Sequence, residues 1–225
     1  MGNKVQLITV DIGRTLGVFT GVSTKDRLAE LAPSHVIGPD RIAETVRSLL
    51  HRAPVLTDEL IERVCQRLLI SPADFPAEST WHRGYTPYHD TAQALWMLNE
   101  IAAVVALSNM AVTGGPQRVA AVHAAHPGVL AKVYTSFQLG GAKPEPWLWQ
   151  IVAANHRADI GAVIHIGDRL DADVSGALSA GARVVHIHRP GDEPAHYPEG
   201  SGQRVATVPS LLDAVPVVVA WARRR

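Results

Sequence analysis

Short apolar segments rich in β-branched residues alternate with helical patterns along most of this chain, and this alternation restricts its fold more than any other feature. Several of the apolar segments have the length of buried strands, namely residues 5–10, 104–107, 131–134, 163–166 and 183–187. Apolar residues recur at helical spacing over residues 91–102, 144–153 and 173–180. Strands joined by helices form right-handed crossover units, so the sequence predicts an α/β protein with a Rossmann-like, doubly wound parallel sheet.

The region that follows the first predicted strand has a different character. Apolar residues at helical spacing predict helices that begin at Pro39 and near Thr57, and no strand is expected there. We therefore predict a small α-helical cap over residues 17–85, inserted after the first strand, and a core domain over residues 1–16 and 86–225. An insertion at this point would lie over the carboxyl ends of the strands, where ligands bind in open α/β sheets.

The composition of the chain argues against several classes of partner. Lys and Arg together number 21, as do Asp and Glu, so the formal net charge is +0 and neither nucleic acid nor a membrane is expected to bind. The single cysteine, Cys65, excludes an internal disulfide framework and indicates a reducing compartment. No apolar run approaches the ~18 residues of a spanning helix, and no signal-peptide pattern is present. We expect a cytoplasmic protein with a small-molecule substrate, either a monomer or a homodimer.

Polar segments follow the predicted strands at four places in the chain. These segments are residues 11–16, 107–109, 141–146 and 166–173. The carboxyl ends of parallel strands meet at one edge of a sheet, so the four segments are expected to build one site.

In their order and spacing, these segments resemble the four motifs of the haloacid dehalogenase-like (HAD) superfamily. The matching residues are Asp11 through Thr15, Ser108, Lys143 with Pro144, and Gly167-Asp168 through Asp173. The resemblance covers about residues 5–18 and 85–212, and it implies that the insertion is a helical cap of the C1 type. It also implies a hydrolase that works through a phosphoryl-Asp11 intermediate, which water then cleaves.

The residue types at these positions suit the same chemistry on physical grounds. The carboxylates of Asp11 and Asp168, with the backbone carbonyl of Gly13, would make an all-oxygen site suited to Mg²⁺, the cofactor we expect. Asp11 would also be the nucleophile, Lys143 would add positive charge, and Ser108 would donate its hydroxyl to a phosphoryl oxygen. The further candidates are Asn109, Thr15 and Arg14 for phosphate contact, and Asp173 for support of Lys143 or of the metal.

Gly13 stands where the phosphatases of this superfamily usually have a second Asp, which acts as general acid and then as general base. Loss of such a group typically costs about 10²–10⁴ in rate. Three readings stay open: a substrate with a good leaving group, such as an acyl or aryl phosphate; a cap residue in its place, such as His82 or His89; or weak hydrolysis. Arg14, where the family commonly has Gly, would bind a phosphate or carboxylate or would pair with a surface acid.

The predicted function is that of a Mg²⁺-dependent phosphatase acting on a small phosphorylated metabolite. One alternative, suggested by Gly13, is a hydrolytically degenerate protein that only binds a phosphate or diphosphate ligand. Another is a 2-haloacid dehalogenase, because those enzymes also lack the second Asp and attack carbon without Mg²⁺; the presence of Asp168 argues against it. A phosphonatase would need a Schiff-base lysine from the cap, where Lys25 is the only lysine.

Weaker patterns concern two histidines and two tryptophans. His123 and His126 have a spacing that zinc can use, but without a Cys or a third His beside them we interpret both as ordinary helix residues. Trp147 is predicted to pack in the core, and Trp81 could line a substrate pocket.

Overall fold

A six-stranded parallel sheet forms the centre of the molecule in the computed structural model, which describes residues 4–81, 84–197 and 200–223. The strands are β1 (Leu7–Val10), β2 (Gly17–Phe19), β3 (Tyr85–Pro87), β4 (Ala103–Ser108), β5 (Lys132–Thr135), β6 (Val163–Gly167), β7 (Arg183–Ile187) and β8 (Val205–Val208). The large sheet has the order β5-β4-β1-β6-β7-β8, and all of its neighbouring strands are parallel. The predicted doubly wound α/β fold is confirmed.

Helices cover both faces of this sheet. They are α1 (Thr24–Leu31), α2 (Pro39–Thr45), α3 (Asp58–Leu68), α4 (Thr91–Asn99), α5 (Gly115–Ala125), α6 (Ser136–Leu139), α7 (Trp147–Asn155), α8 (Ser175–Ala180) and α9 (Leu211–Arg223). Side chains of α4, α5 and α9 belong to one apolar cluster, and those of α7 and α8 to another. The central strands are buried on both faces, which explains why they are continuous apolar runs. None of the helices among the described residues is long and apolar enough to cross a membrane.

Strand β1 lies in the middle of the sheet, between β4 and β6. The chain that leaves β1 builds β4 and β5 on one side, and later β6, β7 and β8 on the other. The carboxyl end of β1 is therefore the switch point of the topology, where loops diverge and leave a crevice. Asp11 follows β1 directly at this point.

The insertion after β1 contains α1, α2 and α3, and a π-helical turn over Val46–Leu50 continues α2. Ser23 and Thr57 begin α1 and α3 by accepting hydrogen bonds from backbone N–H groups with their side chains. On α3 the buried residues repeat at helical spacing, as Leu60, Val64, Cys65 and Leu68. Helices α2 and α3 are the ones that the sequence predicts for this region, whereas α1 is not among the predicted elements. The division into a cap and a core domain stays a prediction.

The expectation that this region contains no strand is wrong. At its two ends, β2 pairs antiparallel with β3, so that Phe19 lies opposite Tyr85 and Gly17 opposite Pro87. A Cβ atom on Gly17 would lie only 2.4 Å from the carbonyl oxygen of Thr86, so the close approach of the strands needs glycine here. Strands of three residues are too short to show a period of two, and their partners are far apart in sequence.

The carboxyl-terminal part goes beyond the predicted elements, because β8 and α9 complete the sheet and one of its covering layers. Helix α9 contains Pro216 in its interior, a residue that normally ends a helical pattern. Its buried residues Leu211, Ala214, Val215 and Val218 nevertheless form an apolar face against the sheet. Packing thus outweighs the unfavourable local preference.

The two tryptophans of α7 correct one core prediction. Trp147, expected in the core, is 38% exposed at the start of the helix. Trp149, two residues later, is completely buried. Trp81 is buried as well, with its indole N–H donated to the carbonyl of Pro76 over 3.1 Å, and it does not line the cavity described below.

Candidate active site

A tight turn after β1 holds Asp11 at the edge of the sheet. The N–H groups of Leu16 and Gly17 both donate to the carbonyl of Ile12, at 2.9 and 3.2 Å. The N–H of Asp11 donates to the carbonyl of Ile166 on β6 at 2.8 Å. These bonds fix the backbone on both sides of the carboxyl group, which is 7% exposed.

Lys143 reaches this carboxyl group from the loop after α6. Its Nζ donates to Asp11 Oδ1 at 2.6 Å, to Asp173 Oδ1 at 2.5 Å and to the carbonyl of Leu107 at 3.0 Å. Burial alone would lower the pKa of Lys143, but the two carboxylates outweigh burial and raise the pKa above its usual value. The side chain is therefore an ammonium ion with an acceptor for each of its protons.

Asp173 is the fixed partner of Lys143. Its Oδ1 atom also accepts from His165 Nε2 at 3.1 Å, and its Oδ2 accepts from the N–H of Arg169 at 3.0 Å. Burial alone would raise the pKa of Asp173, but Lys143 and His165 outweigh it, so the pKa lies well below its usual range. A Cβ atom on Gly167 would lie 2.5 Å from Asp173 Cγ, so the missing side chain lets this carboxylate approach β6.

Asp168 follows β6 and stands beside this pair with fewer partners. Its carboxyl group lies 3.5 Å from Arg14 Nε, and its backbone carbonyl accepts from His186 Nε2 at 2.9 Å. Burial first, and then the negative charges of Asp11 and Asp173, raise the pKa of Asp168 to about 7. The site therefore concentrates more negative charge than its own cations neutralise.

The donor set fits a hard divalent cation. Asp11, Asp168 and Asp173 each offer an oxygen atom within 4.8 Å of the other two. Because both oxygens of Asp173 already accept hydrogen bonds, the residues that could hold such a cation are Asp11 and Asp168, with the carbonyl of Gly13 from the same turn. Carboxylate and carbonyl oxygens are the ligands that Mg²⁺ takes, and a cation would offset the burial and the repulsion that raise the pKa of Asp168.

Two of the residues expected to contact phosphate have defined surroundings in the structure, and their contact with phosphate stays a prediction. The amide group of Asn109 accepts from the N–H of Lys143 at 2.8 Å and donates to its carbonyl at 2.9 Å. Asn109 thus holds the backbone of the lysine loop. Thr15 is completely buried and presents no surface to a substrate. Ser108, by contrast, ends β4 next to Asn109, and it is 5% exposed.

Arg14 lies at the outer edge of the site in a left-handed backbone conformation, with φ of 58°. Its exposed guanidinium pairs with Asp192 as well as with Asp168. Hydrogen bonding to Asp192 raises the pKa of Arg14, with further contributions from the charges of both acids. The backbone carbonyl of Arg14 accepts from Arg189 Nε at 3.1 Å, so the loop after β7 is tied to this edge. Of the two expectations for Arg14, the pairing with a surface acid is seen at Asp192, and the binding of a phosphate or carboxylate stays a prediction.

The position that lacks the usual acid is open. A Cβ atom built on Gly13 meets no heavy atom within 4 Å, and Gly13 does not have a positive φ. Of the two histidines considered as substitutes, His89 lies exposed in the turn after β3, and His82 lies outside the described residues. Neither position supplies evidence for a replacement acid.

A cavity of about 580 Å³ opens beside Lys143, between the inserted helices and the core. Lys25 and Arg47 line it from the inserted helices, and Arg118 lines it from α5. His51 lies in its wall, and its pKa is lowered to about 4, first by burial and then by nearby arginines such as Arg118. A volume of this size suits a small metabolite.

Sequence reasoning missed the residues behind Lys143. His165 lies within β6, and it contacts Asp173 through one ring nitrogen and Thr9 Oγ1 through the other, at 2.9 Å. The available signal was a histidine inside a segment predicted as a fully buried strand, because such a polar group needs a partner there.

Comparison with known proteins agrees with this geometry. The family model described as HAD-hydrolase-like matches residues 141–214. No curated protein sequence matches the chain. Among solved structures, the 2-haloacid dehalogenase from Pseudomonas syringae pv. Tomato DC3000 is similar with a TM-score of 0.62 and 19% identity, covering 96% of this chain and 98% of that one.

Two further structures show the range of activities found on this fold. The L-2-haloacid dehalogenase from Xanthobacter autotrophicus, with chloropropionic acid covalently bound, has a TM-score of 0.61 and 18% identity, covering 96% of this chain and 98% of its own. A HAD phosphatase from Thermococcus onnurineus has a TM-score of 0.55 and 18% identity, covering 95% of this chain and 97% of its own.

The parallel sheet with an insertion after its first strand, and the family-model match over residues 141–214, make this chain similar to hydrolases of the HAD type. The family model covers about a third of the chain, and the solved structures show that the chain has the fold of the haloacid dehalogenase-like hydrolases. At these identities the solved structures establish the fold, and both dehalogenases and a phosphatase are among them.

Proposed function

We propose that this protein is a Mg²⁺-dependent phosphatase that hydrolyses a small phosphorylated metabolite through a covalent phosphoryl-Asp11. The observation that carries the proposal is the pair of carboxylates, Asp11 and Asp168, at the carboxyl end of the central strands. The pKa of Asp168 is raised to about 7 there, by burial and then by the neighbouring acids. Two buried carboxylates this close repel each other when no cation is present. A divalent cation, together with the phosphate that it accompanies, would be bound favourably there.

In the proposed reaction, one oxygen of Asp11 attacks phosphorus. Lys143 holds Asp11 Oδ1 at 2.6 Å, which leaves Oδ2 to form the new bond while the bond to the leaving oxygen breaks. Water then attacks phosphorus, releasing inorganic phosphate and restoring the Asp11 carboxylate. Bound Mg²⁺, held by Asp11, Asp168 and the Gly13 carbonyl, would reduce the repulsion between the nucleophile and the phosphoryl oxygens.

The other residues of the rim orient the substrate. Ser108, at the end of β4, would donate its hydroxyl to a phosphoryl oxygen, while the Lys143 ammonium stabilises the charge that develops there. The remainder of the substrate would occupy the cavity of about 580 Å³, beside Lys25, Arg47 and Arg118.

Gly13 determines which phosphates would react quickly. The protein offers no proton donor at this position, so a leaving group must depart without protonation. Acyl and aryl phosphates have such leaving groups, whereas simple alkyl phosphates do not. We therefore place the substrate among phosphates with stabilised leaving oxygens.

A metal-independent 2-haloacid dehalogenase is the second candidate, favoured by one specific contact. Arg14 lies 3.5 Å from the Asp168 carboxyl group and can neutralise part of its charge without any metal. Together with Gly13, this would leave Asp11 free to attack carbon. A third possibility, a protein that binds a phosphate or diphosphate ligand without hydrolysing it, follows from Gly13 alone.

The test compares three reactions of the purified protein: acetyl phosphate and p-nitrophenyl phosphate with Mg²⁺, and chloride release from 2-chloropropionate in EDTA. We expect Mg²⁺-dependent phosphate release that Asp11→Asn lowers by on the order of 10⁴-fold or more. Glu59→Gln, which neutralises an exposed acid of α3, is the matched control. Chloride release without metal would replace the phosphatase by the dehalogenase, and binding of orthovanadate without turnover would favour the binding protein.

A further inference from the structure

Two polar side chains face each other inside an otherwise apolar layer of the sheet. Thr9 on β1 and His165 on β6 are register partners, and both are completely buried. Their neighbours in this layer include Leu7, Val163 and Trp149. Polar groups in such a layer are costly unless they are hydrogen bonded, so their arrangement needs an explanation.

Both ring nitrogens of His165 have partners. Nδ1 lies 2.9 Å from Thr9 Oγ1, and Nε2 lies 3.1 Å from Asp173 Oδ1. The ring of Trp149 meets the imidazole edge to face, with the ring centres 5.1 Å apart. The imidazole is therefore fixed in position by contacts on three sides.

The partners also determine which nitrogen carries the proton. The Asp173 carboxylate is an anion that can only accept, so His165 Nε2 must donate to it. Burial lowers the pKa of His165, which favours the neutral ring and leaves a lone pair on Nδ1. Thr9 then donates its hydroxyl to Nδ1, over a shorter distance than the 3.5 Å to its other acceptor, the carbonyl of Ile164.

A continuous series of hydrogen bonds thus runs from the sheet interior to the nucleophile. Thr9 donates to His165, His165 donates to Asp173, and Asp173 accepts from the Lys143 ammonium, which also donates to Asp11. Removal of the histidine would take one of the two donors from Asp173 Oδ1, and the carboxylate would be held only by Lys143 and by the N–H of Arg169. The position of Lys143 Nζ relative to Asp11 Oδ1 would then be less closely fixed.

We propose that His165 is a positioning residue that, through its Nε2–H, fixes Asp173 so that the Lys143 ammonium stays centred on Asp11. It contacts neither the substrate nor the reacting atoms, and it acts through Asp173. Its kinetic consequence rests on the proposed function, whereas its tautomer and its effect on Lys143 do not.

Paired substitutions separate positioning from space filling. His165→Leu keeps an apolar side chain in the layer but removes the donor, whereas His165→Gln can still present an N–H to Asp173. With acetyl phosphate, we expect His165→Leu to lower kcat by about 10- to 100-fold with KM changed by less than about threefold, and His165→Gln to recover most of kcat. Thr9→Val, which removes only the outer donor, should lower kcat by about two- to fivefold.

These variants are compared below their unfolding midpoints, so that a loss of folded protein does not enter kcat. A His165→Leu enzyme with wild-type kcat would overturn the proposal. So would a His165→Gln enzyme as slow as the leucine variant, since the shape of the residue would then matter and its donor would not.

Nuclear magnetic resonance of the wild-type protein tests the same proposal without turnover. Long-range ¹H–¹⁵N correlations of His165 should show the neutral Nε2–H tautomer, and the Lys143 ammonium resonance should shift in His165→Leu. An Nδ1–H tautomer, an imidazolium, or an unchanged lysine resonance would overturn the positioning role. If the wild type hydrolyses no phosphate, the proposed function fails, and these two resonances still decide the role of His165.

Discussion

The two halves of the candidate active site differ in how completely the protein satisfies their charges. In the closed half, formed by Lys143, Asp173 and His165, the side chains are almost fully buried and their polar groups have partners. In the open half, formed by Asp168, Gly13 and Arg14, one carboxyl group has a strongly raised pKa and one position has no side chain.

This difference separates two tasks within one site. The closed half keeps a positive charge in a constant position beside Asp11, which is proposed as the nucleophile. The open half has charge and space that the protein does not itself fill, as expected where a cation and a leaving group must enter. The following predictions test this division, from the largest expected effect to the smallest.

Lys143→Met should affect stability most, because it leaves two buried carboxylates, Asp11 and Asp173, without their common cation. Loss of one partner from a buried ion pair typically costs about 3–5 kcal/mol. The free energy of unfolding from urea titrations at pH 7 measures the loss. Lys4→Met, which changes an exposed lysine, should cost less than about 1 kcal/mol. Equal values for the two variants would show that the closed half is not held by charge.

Gly13→Asp should raise kcat on an alkyl phosphate such as β-glycerophosphate by about 10²–10⁴-fold. The reason is that a Cβ atom at position 13 meets no heavy atom within 4 Å, and that this position has no proton donor in the wild type. On acetyl phosphate, whose leaving group needs no protonation, the gain should be small. Gly13→Asn supplies a side chain of the same size without an acid, and a gain in that variant would contradict the explanation.

Asp168→Asn should change the pH dependence of stability when metal is removed by EDTA. The folded pKa of Asp168, about 7, lies above its unfolded value of 3.8, so the folded state binds the proton more tightly. Asp168 therefore lowers the stability of the wild type as pH rises from about 4 to 7, and the variant does not have this loss. The variant minus wild-type difference in unfolding free energy should grow by about 2–3 kcal/mol between pH 5 and pH 8.

Taking this difference removes the effect of the buried histidines, whose lowered pKa values act in the opposite direction in both proteins. Urea titrations at the two pH values provide the measurement. A variant minus wild-type difference that stays constant between pH 5 and pH 8 would mean that the pKa of Asp168 is not raised in the folded protein. In that case the open half would need no cation.

Arg14→Gln should have the smallest effect, because the guanidinium is 57% exposed and its pairs with acids are screened by water and salt. Removing its charge from the neighbourhood of Asp168 should lower the Mg²⁺ concentration needed for half-maximal activity, by about two- to fivefold. The effect should shrink at high salt. If the variant instead lost activity and added Mg²⁺ did not restore it, Arg14 would be supplying the positive charge that the proposal assigns to the metal.

The fold could be predicted from the sequence because the central strands are buried on both faces and therefore form distinct apolar runs. The four polar segments could likewise be placed at one edge, since parallel strands bring their carboxyl ends together. The hairpin of β2 and β3 could not be predicted in this way. Each of its strands has three residues, and it forms only when chain segments on both sides of the insertion meet.

Partners inside the site were equally hidden. Asn109 follows a strand just as a phosphate-binding residue would, and only the structure shows that its amide group is used by the backbone of Lys143. His165 contacts Asp173 because β6 and the following turn bring them together, although no spacing rule connects them. The charged residues of the site could be found from their residue type alone. The residues that hold them in place, Asn109 and His165, could be found only from tertiary contacts.

The hairpin has a consequence for how this molecule can be altered. Its paired strands bring the two ends of the insertion to within one strand spacing, roughly 4.8 Å, where they leave and re-enter the core. Because the hairpin holds these two ends together, the segment between them is attached to the core as one closed loop. Because buried side chains of the inserted helices share one apolar cluster with the sheet, a graft at this junction would keep those contacts and exchange the residues that line the cavity.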